Sequence, residues 1–245
     1  MLHQLTFPAG YTQSGPLFHA KTRALEKLLT KALAPISIAP ILIYPTGPNR
    51  LRLADIPGFN PDSAKDDDEE PEMWSWFRKH DASGEYRYFD EGMETVAKAI
   101  KEAGGIDAVC GFSQGGAMTG FVTAALEPDR TVPEGAENDW ARKLREANGG
   151  KGVKFGIIYS GFFGPVDMLK WLYEPKIKTP TLHVIGSLDT VVEESRSQGL
   201  VDRCENPQVI THPGGHHVPV SKEWAMPIAG FIKQYSETDT PRPGL

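Results

Sequence analysis

Apolar and polar positions along the chain switch repeatedly between a helical period and short uninterrupted apolar runs. From Leu17 to Leu33 the apolar residues Leu25, Leu28, Leu29 and Leu33 recur three and four positions apart, which predicts an amphipathic helix. Ser37 to Tyr44 is a β-branched run closed by Pro45 and reads as a strand. Phe89 to Ala103 is again amphipathic and is stopped by Gly104 and Gly105. A buried strand over Ile106 to Cys110 follows, then helices over Gln114 to Leu126 and Trp140 to Ala147. Val153 to Tyr159, Thr181 to Ile185 and Gln208 to Thr211 are further strand candidates. A last helix spans Ser221 to Tyr235, and the tail from Glu237 to Leu245 reads as frayed. Strands separated by helices predict an α/β fold, with a mainly parallel central sheet flanked by helices on both faces. No repeat or linker divides residues 1–245, which read as one domain.

Two stretches break the alternation. The connection after Pro45 carries the acidic block Asp66, Asp67, Asp68, Glu69 and Glu70, expected to be a solvated loop because it lacks the ligand spacing of a calcium-binding loop. Met73 to Phe77 holds Trp74 and Trp76 without a clear period. Two readings stay open there: internal packing, or contact with a ligand, since long loops of α/β folds tend to cover the site.

Composition narrows the function. The 245 residues are 40% hydrophobic and 24% charged, an ordinary globular balance. Lys+Arg 26 against Asp+Glu 32 leaves a net charge of −6, and the absence of a basic tract argues against nucleic acid or a membrane surface as partner. Two cysteines, Cys110 and Cys204, exclude a disulfide framework and a four-cysteine zinc site. No apolar run approaches the roughly 18 residues of a membrane-spanning helix. The first ten residues carry no secretory signal, so a cytoplasmic location is the expectation.

The chemistry concentrates at Gly111-Phe-Ser113-Gln-Gly115, a G-x-S-x-G pattern with a strand before it and a helix after it. In that context the serine sits on a sharp turn with its hydroxyl exposed, and the helix starting at Gln114 points free N–H groups and its positive end at a developing oxyanion. Cys110 reads as a small core residue of the strand. A serine nucleophile needs a base, and the base needs a carboxylate to fix its tautomer. Two later strand ends qualify: Thr181 to Asp189, and Gln208 to Pro219 with its Gly214-Gly215-His216-His217 turn. The paired glycines free the backbone to project the next residue, which favours His216 over His217. His183 lies mid-strand and reads as core, and His212 as a structural hydrogen-bonding residue. For the acid, Asp167 is the rival one strand earlier, and Asp189 is the expected residue.

These segments carry a family resemblance. Gly10-Tyr-Thr-Gln-Ser-Gly15, Tyr44-Pro-Thr-Gly-Pro, Gly111-Phe-Ser-Gln-Gly-Gly116, Tyr159-Ser-Gly-Phe162, His183-Val-Ile-Gly-Ser-Leu-Asp189 and His212-Pro-Gly-Gly-His-His-Val-Pro219 occur in order over nearly the whole chain. The chain resembles the fungal FSH-type serine hydrolases, a branch of the α/β-hydrolase superfamily. The resemblance implies esterase or thioesterase chemistry with a Ser113, Asp189, His216 triad. It also implies oxyanion donors from the backbone N–H groups of Tyr11 and Gln114. Some relatives release polyketides from fungal synthases, which makes a synthase acyl carrier a candidate partner beside a small ester or acyl thioester. The chain departs from the family at its start. Relatives run an apolar strand into Leu-His-Gly before the aromatic residue, whereas here Met1-Leu2-His3 opens the chain and Gln4 to Ala9 separate it from Gly10-Tyr11. Leu2 to Phe7 is the stretch left to form the central strand beside the nucleophile strand.

The expectation is therefore two-step acyl transfer with no metal or organic cofactor, and Trp74, Trp76, Phe162 and Phe163 as an apolar acyl pocket. The alternative is a non-catalytic small-molecule-binding protein on the same scaffold.

Overall fold

A computed structural model describes residues 2–56, 72–80 and 83–236. The acidic block at 66–70 and the tail from 237 lie outside the described residues. In chain order the elements are β1 (Leu2–Thr6), α1 (Gly15–Leu33), β2 (Ala39–Ile43), β3 (Asn49–Leu51), β4 (Met73–Ser75), β5 (Arg78–Lys79) and β6 (Tyr86–Arg87). Then come α2 (Phe89–Glu102), β7 (Ala108–Phe112), α3 (Gln114–Ala125), α4 (Asp139–Ala147), β8 (Phe155–Tyr159), β9 (Thr181–Gly186), α5 (Glu194–Val201), β10 (Gln208–His212) and α6 (Lys222–Ser236).

Six strands form one sheet in the order β10-β9-β8-β7-β1-β2, with every neighbouring pair parallel. Parallel strands require crossover helices, and these cover both faces. On one face Leu25, Leu29 and Leu33 of α1 and Ile228 and Ile232 of α6 pack on Leu5, Cys110, Ile157 and Val184. On the other, Met93 and Val96 of α2, Met118 and Val122 of α3 and Trp140 of α4 pack with Val109 and Ile158. Cys110 and Val109 face opposite sides, as a strand's two-residue period demands. Strands β7, β8 and β9 are buried at every position, which is why they read as unbroken apolar runs.

Leu2–Thr6 is the central strand that the sequence left to Leu2 to Phe7. It pairs along its length with β2 and at Leu5↔Ala108 and Thr6↔Val109 with β7. Its carboxyl end runs directly through Phe7, Pro8 and Ala9 into Gly10, so the sheet has no gap. Two small antiparallel ribbons, β3 with β4 and β5 with β6, stand beside the main sheet. The aromatic patch thus supplies a strand, β4, that periodicity did not announce.

Because β1 lies inside the sheet, Leu5, 1% exposed, contributes core packing that an exposed residue does not. Leu5→Ala is expected to lower stability by about 2–5 kcal/mol in urea unfolding. Ile41→Ala on β2, at a 41% exposed position, is expected to stay within about 0.5 kcal/mol of wild type. Equal effects would remove β1 from the sheet.

Candidate active site

Ser113 stands between β7 and α3 with φ 56° and ψ −117°, a conformation L-residues rarely adopt. Its N–H donates to the Tyr159 carbonyl at 2.8 Å, tying the turn to β8. Glycine is required at both flanking positions by contact. A Cβ on Gly111 would overlap the Gly115 carbonyl, and a Cβ on Gly115 would overlap those of Pro8 and Ala9. The loop after β1 therefore lies directly on the turn, and Phe112 donates its N–H to the Pro8 carbonyl at 3.4 Å.

His216 Nε2 lies 2.9 Å from Ser113 Oγ, and His216 Nδ1 lies 2.7 Å from Asp189 Oδ2. The carboxylate makes Nδ1 the protonated nitrogen, so Nε2 accepts from the serine hydroxyl. Ser113 and Asp189 are 7% and 8% exposed. The other oxygen of Asp189 accepts from the N–H groups of Val191 and Val192, each at 2.9 Å. Burial works against its charged form, but the hydrogen bonds from His216 and the Val192 N–H outweigh it and hold the carboxyl below its ordinary range. The loops carrying these residues are joined to each other: Ser187 N–H donates to the His212 carbonyl and Leu188 N–H to that of Gly214. The His216 ring rests on Phe112, centroids 4.7 Å apart.

The competing residues lie elsewhere. His217 is exposed, and so is Asp167, which opens a short 3-10 turn. His183 is 1% exposed, and burial lowers its pKa to about 4. His212 is buried and accepts the Gly214 N–H on Nδ1, an arrangement that braces the turn before His216.

Ser113 opens into a cleft of about 740 Å³ whose lining includes Tyr11, Phe77, Tyr86, Gln114, Phe162 and Phe163. Arg78, Lys79 and Arg196 line it too. Among the described residues, neither Tyr11 nor Gln114 gives its N–H to a backbone acceptor. The two tryptophans do not line the cleft. Trp76 is 1% exposed, with its indole N–H bonded to the Ala9 carbonyl at 2.9 Å. Trp74 sits in β4 and accepts the Thr12 N–H on its carbonyl at 2.8 Å. Trp76 follows the end of β4, and the next residue, Phe77, is also buried but borders the cleft.

The side chain of Gln114 had no role in the sequence reading. Its Oε1 accepts the Trp76 N–H at 2.8 Å and its Nε2 donates to the Phe77 carbonyl at 2.7 Å. It thus fastens the aromatic segment to the first residue of α3. Tyr86, Arg78 and Arg196 were also missed, because they come from separate segments and no local pattern joins them.

A family model described as serine hydrolase (FSH1) matches residues 3–228. The chain is 30% identical over 236 residues to a dihydrofolate reductase of Schizosaccharomyces pombe, covering 91% of this chain and 45% of that protein. An uncharacterized hydrolase of the same organism is 29% identical over 238 residues, covering 95% of this chain and 51% of that one. The chain thus spans about half the length of these two relatives. Mouse esterase OVCA2 is 30% identical over 242 residues, covering 94% of this chain and 95% of that protein. Among solved structures, Arabidopsis thaliana SOBER1 matches with a TM-score of 0.60 at 19% identity, covering 97% of this chain and 100% of that one. Zea mays acyl-protein thioesterase 2 matches at 0.59 and 17% identity, covering 96% and 94%. The structural likenesses agree with the α/β-hydrolase fold. No helix among the described residues is long and apolar enough to cross a membrane.

Two outcomes follow from the bonding. Gln114→Leu leaves a buried N–H and a buried carbonyl unpaired, so a loss of about 1–3 kcal/mol per group is expected in chemical denaturation. A neutral result would show that the aromatic segment is held by other contacts. For Asp189, a lowered folded-state pKa means stability present above the ordinary carboxylate pKa of about 3.9 and lost as pH falls through the folded value. Urea midpoints measured from pH 5 downward should therefore fall less steeply for Asp189→Asn than for wild type. Parallel curves would remove Asp189 from the acid response.

Proposed function

The chain belongs to the serine hydrolase (FSH1) family, and from that premise we propose that it cleaves carboxylic esters or thioesters through an acyl-enzyme on Ser113. The observation that carries this reading is the unbroken hydrogen-bond chain from Ser113 Oγ through His216 to Asp189, at 2.9 and 2.7 Å. His216 takes the hydroxyl proton as Ser113 attacks the carbonyl carbon, and Asp189 holds the imidazole and stabilises its cationic form. The tetrahedral oxyanion is received by the N–H groups of Tyr11 and Gln114, the latter at the positive end of α3. His216 then protonates the departing alcohol or thiol, and in the second half-reaction it deprotonates the water that frees the acid.

Two observations favour turnover over ligand binding alone. Ser113 is kept in a costly backbone conformation, the kind of strain associated with functional positions. The loop after β1, which carries Tyr11, lies against that turn, as the close approach of Pro8 and Ala9 to Gly115 supports. Release of a polyketide from a synthase acyl carrier is one thioester reaction this constellation could perform. It is separated from simple esters by comparing an acyl-carrier thioester with an aryl ester of the same acid.

The deciding experiment is intact-mass labelling with a fluorophosphonate. One adduct is expected on wild type and none on Ser113→Ala, with p-nitrophenyl butyrate hydrolysis lost in the same variant. Asp189→Asn, which leaves Nδ1 without its acceptor, is expected to lower kcat by about 10⁴-fold. An unlabelled wild-type protein with the circular dichroism of a folded α/β chain would overturn the proposal.

A further inference from the structure

The cleft beside Ser113 differs in charge from the chain that carries it. The chain has a net charge of −6, yet three cations among the described lining residues, Arg78, Lys79 and Arg196, face one carboxylate, Asp55. That carboxylate is engaged. Arg78 holds it with both terminal nitrogens, each at 3.1 Å, and the Arg52 N–H binds it at 2.8 Å.

Arg196 is not neutralised in this way. Its guanidinium lies over the Phe162 ring, 4.6 Å from the centroid, and its hydrogen bond is a long one to the Val191 carbonyl at 3.5 Å. Among the described residues it forms no ion pair. Tyr86 shares this wall. It is 7% exposed, stacked on Phe77 at 4.4 Å, and its hydroxyl has no hydrogen-bond partner among the described residues. Burial pushes its pKa up to about 12 against the opposing pull of Arg196, so the phenol remains a neutral donor. A guanidinium held on an aromatic face and a free O–H donor together make a site for an anion.

The position of His216 says which part of a substrate enters. The leaving group must lie against His216 Nε2 to receive its proton. His216 does not line this cleft; it lines a separate hollow of about 280 Å³ with Gln13, Lys21 and Val218. A leaving group held on the His216 side of Ser113 leaves the cleft to the acyl group.

We infer that Arg196 and Tyr86 are specificity-determining residues that bind a carboxylate at the far end of the acyl group, so that the preferred substrates are half-esters or half-thioesters of dicarboxylic acids. The inference rests on the reading of Ser113 as nucleophile. The test compares p-nitrophenyl hydrogen suberate with its methyl-capped diester, which has the same acyl backbone and the same leaving group but no charge. Wild type is expected to favour the free acid in kcat/KM by about tenfold or more, chiefly through KM. Arg196→Met should erase the preference, Arg196→Lys should restore part of it, and Tyr86→Phe should reduce it. Equal use of the two esters, or a preference that survives Arg196→Met, overturns the inference. So does a charge preference found only for phosphate on the leaving group, measured as octanoyl-phosphopantetheine against octanoyl-pantetheine. Hydrolysis of p-nitrophenyl butyrate without discrimination within the pair defeats this inference alone. Failure of both hydrolysis and fluorophosphonate labelling defeats the nucleophile as well.

Discussion

The backbone conformation of Ser113 constrains everything around it. A positive φ at a residue with a side chain costs about 1–3 kcal/mol and persists only where the surroundings over-determine it. Here they do so from three directions. The Tyr159 carbonyl takes the Ser113 N–H, the Pro8 carbonyl takes that of Phe112, and the glycines at 111 and 115 let neighbouring backbone approach to contact. The same turn begins α3, whose first N–H groups have no partner inside the helix and therefore lie free beside Ser113. The strain and the electrostatics are therefore two results of one chain reversal.

Rigidity spreads from that turn through a few specific bonds. The loops after β9 and β10 are joined backbone to backbone, so Asp189 and His216 are positioned as one unit. The Gln114 side chain holds Trp76 and Phe77 while its backbone starts the helix. Trp76 in turn bonds the Ala9 carbonyl, which lies against Gly115. Each of the three loops around Ser113 is thus anchored on another part of the same end of the sheet. That is the carboxyl edge of the parallel strands, where ligands of open α/β sheets bind.

What the sequence revealed follows from how local each signal is. Strands β7, β8 and β9 are buried on both faces, so their residues form apolar runs that need no context. Ser113 and Asp189 follow such runs at tight turns and His216 follows the paired glycines after β10, so each could be singled out by itself. Strand β1 was named from the family resemblance and not from its period, because Gln4 and Thr6 interrupt its apolar pattern. The sheet context, not the residues alone, makes Leu2–Thr6 extended. Helix α5 was missed for a related reason: its eight residues bury only Ser197, Leu200 and Val201. Trp76 and Phe77, between β4 and β5, are both buried in the core, and Phe77 also lines the cleft. No period in Met73 to Phe77 records that difference.

The cleft wall and the turn are also not independent. The Tyr11 hydroxyl donates to the Asp55 backbone carbonyl at 3.2 Å, and the Asp55 carboxylate is held by Arg78 at the start of β5. Gln114 reaches the same segment from the other side through Phe77. The loop carrying Tyr11 and the first residue of α3 are therefore both fastened to the strand segment that forms one side of the cleft. A group that settles against that side bears on the residues flanking Ser113 without touching Ser113 itself. In a site built this way, recognition at a distance and alignment at the carbonyl share one set of hydrogen bonds. Binding energy gained along the wall then has a physical route to the reacting centre, which is the condition for remote contacts to act on kcat as well as KM.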